Sequence, residues 1–300
     1  MLRRRASKSA IGALAFVVLT WGVNWILIKD ALAAVAPLEF TACRLLGGAL
    51  LIAVARRAVG NQVYVPAGER MPLALVGLFQ MTGALGLSLM ALQYLPVGHG
   101  AVLFYSMPFW LFLIEISSGV SSVSRLGVLA VAMTIAGLLV LHQNGSGSSS
   151  QFGLAGLVLM LAAALSWAIG IRLYHSRQYK ADVWSQTVWQ LLASGLALAV
   201  ICVLNPSRQP VDVTPWLVAV VLFNCVVATS LAYAAWHYAL GYVSSTMASQ
   251  TLMLVPLVAT TAAVMTRGEH FTVSSIAATL LIVGGVSLTI WREAMRPRPA

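Results

Sequence analysis

The chain is written twice. Displaced by 148 residues against itself, Ala91-Leu92-x-Tyr94 falls on Ala239-Leu240-x-Tyr242, Pro108 on Pro256, Ala130 on Ala278 and Gly137 on Gly285. Displaced by 146, Trp21 meets Trp167, Leu27 meets Leu173, Leu45-Leu46 meets Leu191-Leu192, and Leu50, Ala53 and Val54 meet Leu196, Ala199 and Val200. The change of offset is one small insertion between otherwise aligned halves. Each copy consists of apolar stretches of helical length. An internal repeat in such a chain points to a transporter more than to any other class.

The membrane follows from composition. A soluble domain carries about 25% charged residues. Here 9% of residues are charged and 60% are hydrophobic, with a mean hydropathy of +0.88. Too few charges exist to cover a water-soluble surface, so an all-α integral membrane protein is expected. The net charge of +10 is too scattered for a nucleic-acid partner. Cys43, Cys202 and Cys225 all fall inside apolar runs and read as packing residues rather than a disulfide framework.

A spanning helix needs about 20 mostly apolar residues. Ten segments qualify, near 10–28, 38–56, 72–94, 97–115, 123–142, 152–174, 183–204, 215–240, 244–266 and 273–291. Met1-Leu-Arg-Arg-Arg before the first resembles a secretory signal, with Ala31-Leu-Ala33 downstream as a place to cut. That segment has its own repeat partner around Trp167, so it is expected to remain as a first helix. Three units follow: a first five-helix repeat over 10–142, a flexible linker over 143–151 containing Asn144-Gly-Ser-Gly-Ser-Ser-Ser150, and a second repeat over 152–292.

Fourteen basic residues fall on the N-terminal side of these spans, among them Arg3, Arg56, Arg70, Arg125, Arg177, Lys180 and Arg292. Only Lys29, Arg208 and Arg267 fall on the other. The bias places both termini in the cytoplasm. Five spans per copy is an odd number, so the second copy enters the membrane in the opposite sense. Substrate sites in inverted repeats lie near the midplane between the copies.

Polar side chains inside spans must face a cavity or a neighbour. Trp21, Asn24, Trp25 and Ile28 share one helix face, and Trp167 repeats the first of them, with Gly170 in place of Asn24. They either line a site or simply pack. Arg44 lies about two turns into its span, at a cost of roughly 2.5–3.5 kcal/mol at a helix centre. It is either an anchor for a substrate carboxylate or a structural link to a carbonyl or Glu39. Its repeat mate is Gln190. Gln80, Tyr105, His237 and Gln250 complete the candidate substrate contacts, with Asn224, Tyr233, Trp236 and His99 nearby in the pattern. Pro108 and Pro256 lie inside the fourth and ninth spans and mark either matched hinges or static bends.

No carboxylate lies near a helix centre. Coupled carriers commonly place one there, so a passive carrier is expected. No cofactor or metal-ligand motif is present. His99 and His237 lack the acid pair or nucleophile that an intramembrane enzyme needs. A phosphorylated substrate would call for more cavity cations than Arg44, and a cationic drug for a buried acid. A neutral or zwitterionic metabolite is favoured. Nothing in the loops suggests the gate or assembly domain of a channel or scaffold; a monomer or weak dimer is expected.

Trp21-Gly22-x-Asn24 with Lys29, Pro37 with Arg44 and Gly47-Gly48, Ala91-Leu92-x-Tyr94-x-Pro96 with Pro108, and Glu269 before Ile282-Val-Gly-Gly-Val286 resemble the drug/metabolite transporter superfamily in its EamA branch. The resemblance covers about residues 10–292. It implies ten helices in two inverted five-helix repeats and export of small metabolites. Within the branch the chain resembles the bacterial exporters of aromatic and hydrophobic amino acids (YddG type), which implies a multi-pass protein of the bacterial inner membrane. It departs from the pattern at Ser121, where the first copy lacks the acid that Glu269 supplies in the second.

Overall fold

Lipid dictates which side chains face outward. The surface of the helices carries Leu50, Val54, Leu196, Val200 and Leu204, all exposed, whereas Asn24, Arg44, Gln80, Gln190, Asn224 and His237 are buried. A soluble protein reverses that distribution. The computed structural model describes residues 8–95, 100, 103–119, 124–144, 154–206, 211–267 and 273–295, and among these there is no strand. Most of the expected linker, His99, Ser121 and Glu269 lie outside the described residues.

The helices are α1 (Lys8–Ala31), α2 (Pro37–Ala58), α3 (Ala67–Ala91), α4 (Met107–Ser117), α5 (Arg125–Asn144), α6 (Leu154–His175), α7 (Val183–Leu204), α8 (Pro215–Leu240), α9 (Ser245–Leu252), α10 (Val255–Arg267) and α11 (Val273–Met295). Six of them, α1, α2, α3, α6, α7 and α8, are long and apolar enough to cross a membrane. α2 and α7 are both 22 residues long and stand at the same place in each copy. Capping follows sequence: Pro37 opens α2, and the Asp182 carboxylate accepts from the N–H groups of Trp184 and Ser185 to open α7.

The expected fourth and ninth spans are broken rather than kinked. α4 starts at Met107 and α10 at Val255, so Pro108 and Pro256 are each the second residue of a helix. A proline is tolerated there because that N–H has no intrahelical acceptor. The two turns match bond for bond. Ser106 N–H donates to Leu103 O and Phe109 N–H to Ser106 O; Leu254 N–H donates to Thr251 O and Leu257 N–H to Leu254 O. The third span also begins earlier than its pattern, at Ala67, with Pro72 carried inside its first turns.

Two π-helical stretches occupy matching places, Leu78–Gly86 in α3 and Asn224–Leu231 in α8. Bonding i to i+5 costs geometry and recurs at functional sites. Each stretch receives the second helix of the other copy. Ser230 Oγ donates to Gly48 O at 3.1 Å, and Thr82 Oγ1 donates to Ser194 O at 3.2 Å; Thr82 and Ser230 are repeat mates, as are Gly48 and Ser194. Small residues permit the approach. A Cβ on Gly77 would meet Gln190 O at 2.7 Å and Ser194 Oγ at 2.8 Å. α1 packs on α8 and α10, α5 packs on α11, and α6 on α3 and α4.

The contact at Gly77 is with backbone, which cannot swing aside. Gly77→Ala is therefore expected to cost about 1–3 kcal/mol by overpacking and to lower the melting temperature in detergent. Gly12→Ala, with nothing within 4 Å, is expected to leave it unchanged.

Candidate functional site

The second half of α1 forms one wall of a narrow, largely apolar cavity. Trp21, Asn24, Trp25 and Ile28 face it, as their helical spacing requires. Arg44 enters from α2, and Leu85, Ser88 and Leu89 from the last third of α3. Phe104, Tyr105 and Met107 come from the break before α4, Leu252 from the matching break after α9, Trp167 from α6 and Tyr233 from α8. The breaks thus direct side chains inward where an unbroken helix would present its own regular face.

Aromatic rings form the floor. Trp21 stands edge-on to Trp167 with centroids 5.4 Å apart, and lies 5.2 Å from Tyr233 and 6.0 Å from Trp236. Trp25 and Phe104 continue the cluster at 6.2 Å. Such pairs contribute about 0.5–1.5 kcal/mol each beyond area burial. Trp21 Nε1 donates to Ala228 O at 3.0 Å, in the π stretch of α8, and Trp25 Nε1 donates to Tyr105 Oη at 3.0 Å. Both rings are therefore fixed in orientation.

Polar atoms on the wall are few. Arg44 is 2% exposed, and its Nε donates to Thr229 Oγ1 at 3.0 Å. This hydroxyl, not Glu39 or a carbonyl, positions the guanidinium, and the π stretch brings it there. Among the described residues no carboxylate pairs with Arg44, and its terminal nitrogens find no acceptor. Asn24 Oδ1 and Tyr233 Oη are buried without a partner. The arrangement offers a fixed cation, one free amide oxygen and broad aromatic faces. That set can hold a carboxylate by charge-assisted hydrogen bonds and an ammonium by an oxygen or a ring face.

Five sequence candidates, Trp21, Asn24, Arg44, Tyr105 and Trp167, meet at this cavity. Three do not line it. Gln80 is wholly buried against Gly170, where any Cβ would collide with its side chain. This explains why the repeat mate of Asn24 is a glycine. His237 stacks on Tyr174 at 5.3 Å. Thr187 Oγ1 donates to Val183 O and accepts from His237 Nδ1 at 3.1 Å, which leaves His237 Nε2 without a partner. Gln250 faces α5, with Oε1 3.2 Å from Thr134 Oγ1. Phe104, Ser88, Leu89 and Leu252 were missing from the sequence candidates. Only their nearness to the conserved-offset prolines and to the aligned Ala91 segment hinted at them. Among the described residues no cluster of His, Cys, Asp or Glu could hold a metal.

The end of the molecule that carries the basic residues is closed by polar contacts between the copies. Arg56 pairs with Asp182, Nη1 to Oδ1 at 3.0 Å. Glu69 accepts from the N–H groups of Lys180 at 2.8 Å and Ala181 at 3.1 Å. Trp189 Nε1 donates to Arg70 O at 2.7 Å, and Tyr64 N–H to Ser185 Oγ at 3.1 Å. The cavity lies toward the other end, where α1 finishes and α2 begins.

Comparison with known proteins gives a consistent picture. The chain is 29% identical over 92% of its length to the uncharacterized transporter YvbV of Bacillus subtilis, covering 89% of that protein. It is 27% identical over 93% of its length to a probable amino-acid metabolite efflux pump of Salmonella typhimurium, covering 94% of it. A solved crystal structure shares the fold at 18% identity, with a TM-score of 0.77 over 96% of this chain and 99% of the other. The model of the EamA-like transporter family matches residues 8–142 and 154–291. Nearly the whole of the described structure falls within those matches, and the chain belongs to the EamA-like transporter family of multi-pass membrane proteins.

Proposed function

We propose that this transporter exports small zwitterionic or neutral metabolites, hydrophobic and aromatic amino acids foremost, across the bacterial inner membrane. The observation that carries the reading is Arg44: a buried guanidinium, free of any carboxylate, on the wall of an aromatic cavity. The carboxylate of an amino acid meets its terminal nitrogens. Asn24 Oδ1 and the faces of Trp21 and Trp167 receive the ammonium and the side chain. The Salmonella relative, whose printed name is a probable amino-acid metabolite efflux pump, supports this substrate class.

The proposed architecture is ten spans in two inverted repeats, 10–142 and 152–292, joined by a linker over 143–151, with both termini cytoplasmic. The matched π stretches, the mirrored hydrogen bonds of Ser230 and Thr82, and the identical turns before Pro108 and Pro256 support it. Alternating access follows from rocking one copy against the other, and the two proline turns are the hinges. Among the described residues no carboxylate lines the wall, which supports a passive carrier that uses no cofactor. It works as a monomer or weak dimer.

Uptake of labelled amino acids into reconstituted liposomes tests the reading. Arg44→Ala at normal membrane levels is expected to reduce phenylalanine uptake about tenfold or more, since a charge-assisted hydrogen bond is worth about 1.5–3 kcal/mol. Phenethylamine, which lacks the carboxylate, is expected to be indifferent to the change. Equal phenylalanine uptake by both proteins refutes the anchor, and no amino-acid uptake by the wild type refutes the substrate class. An imposed proton gradient is expected to produce no accumulation above equilibrium; accumulation refutes the passive carrier. Replacing both Pro108 and Pro256 by alanine is expected to lower the maximal rate while ligand titration by tryptophan fluorescence stays unchanged. Loss of binding in that titration refutes the hinge assignment.

A further inference from the structure

The repeat maps the cavity onto itself only in part. Three pairs of repeat mates have both members on the wall: Trp21 with Trp167, Leu85 with Tyr233, and Phe104 with Leu252. Those residues therefore sit where the copies meet. Other wall residues have mates elsewhere. Ile28, Arg44, Ser88 and Leu89 correspond to Tyr174, Gln190, Trp236 and His237. None of these four mates touches the cavity, and all are buried: Tyr174 at 7% exposure and the other three at 0%.

Burial of these mates is unusual in kind. Both amide atoms of Gln190, His237 Nε2 and Trp236 Nε1 have no hydrogen-bond partner. Native proteins rarely leave such groups unsatisfied, and each instance calls for an explanation. Packing alone does not supply one, because leucine or phenylalanine would fill the same volumes. Trp236 packs against the floor rings, 6.0 Å from Trp21 and 5.9 Å from Trp167, and Tyr174 Oη donates to Gln186 Oε1, whose Nε2 donates to Ala181 O beside the Glu69 contact at the closed end.

We infer that Tyr174, Gln190, Trp236 and His237 are the wall of a second cavity, shut in this structure, that receives the same substrate from the basic end. The inference rests on the alternating-access reading above. When the copies rock, equivalent residues exchange environments: the cavity at Arg44 closes and its counterpart at Gln190 opens. Polar atoms that are orphaned here then meet water and substrate. The substrate carboxylate is met by the Gln190 amide in that state, in place of the Arg44 guanidinium. Glu69 holds the state seen here by accepting from Lys180 and Ala181 across the copies, so its removal shifts the population toward the open second cavity.

Cysteine accessibility in membrane vesicles tests this without any substrate, so its failure is distinct from failure of the amino-acid reading. Gln190→Cys and Tyr174→Cys are placed separately in a full-length chain whose Cys43, Cys202 and Cys225 are replaced by alanine. Normal membrane levels and a monodisperse elution profile in detergent confirm that each variant is folded. A charged, membrane-impermeant thiol reagent is applied to each face in turn. Gln62→Cys, in the exposed α2–α3 connection, identifies the basic face whichever way the protein is oriented. Both reporters are expected to react from the face that labels Gln62→Cys, and about tenfold faster when Glu69→Ala is added. Arg44→Cys is expected to react from the opposite face and more slowly with Glu69→Ala. If either buried reporter is inert in both backgrounds, reacts from the opposite face, or is indifferent to Glu69→Ala, the second cavity is refuted.

Discussion

Everything in this structure depends on two helix crossings. α2 lies against the π stretch of α8, and α7 against the π stretch of α3, each close enough for a hydroxyl to reach the other helix's backbone. Between lipid-facing helices no hydrophobic force drives association; close packing and hydrogen bonds must supply it. Gly48 and Gly77 make that approach possible: a Cβ on Gly77 would strike the backbone of α7, and one on Gly48 would crowd Thr229 and Ser230 at 3.0 and 3.2 Å. The same crossings bring Thr229 to Arg44 and Ala228 O to Trp21. Site and scaffold thus share their hydrogen bonds.

The two ends of the molecule show contrasting chemistry. At one end, charged and hydrogen-bonded contacts join the copies through Arg56, Glu69, Trp189 and Asp182. These are partly exposed contacts, of the modest strength typical of surface pairs. Toward the other end, the copies separate around an aromatic cavity with one cation. Rings line that cavity on several sides, and its buried cation and amide come from α2 and α1.

Periodicity alone settles the direction of several candidates that line the cavity. Trp21, Asn24 and Trp25 share a face because helix geometry requires it, and the cavity lies on that face. Arg44 was legible because a charge in an apolar span must be accommodated. Gln80, His237 and Gln250 were also legible as buried polar groups, but burial does not say against what. Gln80 packs on Gly170, and His237 lies under Tyr174. Phe104 and Leu252 were unreadable as cavity residues, because their direction depends on turns that replace the continuous helices suggested by the apolar pattern.

By itself the amino-acid sequence determined the all-helical membrane character, the doubling and the bias of basic residues. Each of these is a matter of composition or of spacing along the chain, and neither requires a partner in space. Only the tertiary structure decided that the prolines start helices instead of bending them, that π turns stand at both crossings, and that Arg44 has a hydroxyl and, among the described residues, no carboxylate beside it. These facts concern which backbone and side-chain atoms from distant segments come within hydrogen-bonding distance. In lipid, where water cannot satisfy a misplaced donor, those distances separate the polar groups that bond across the fold from those left without a partner.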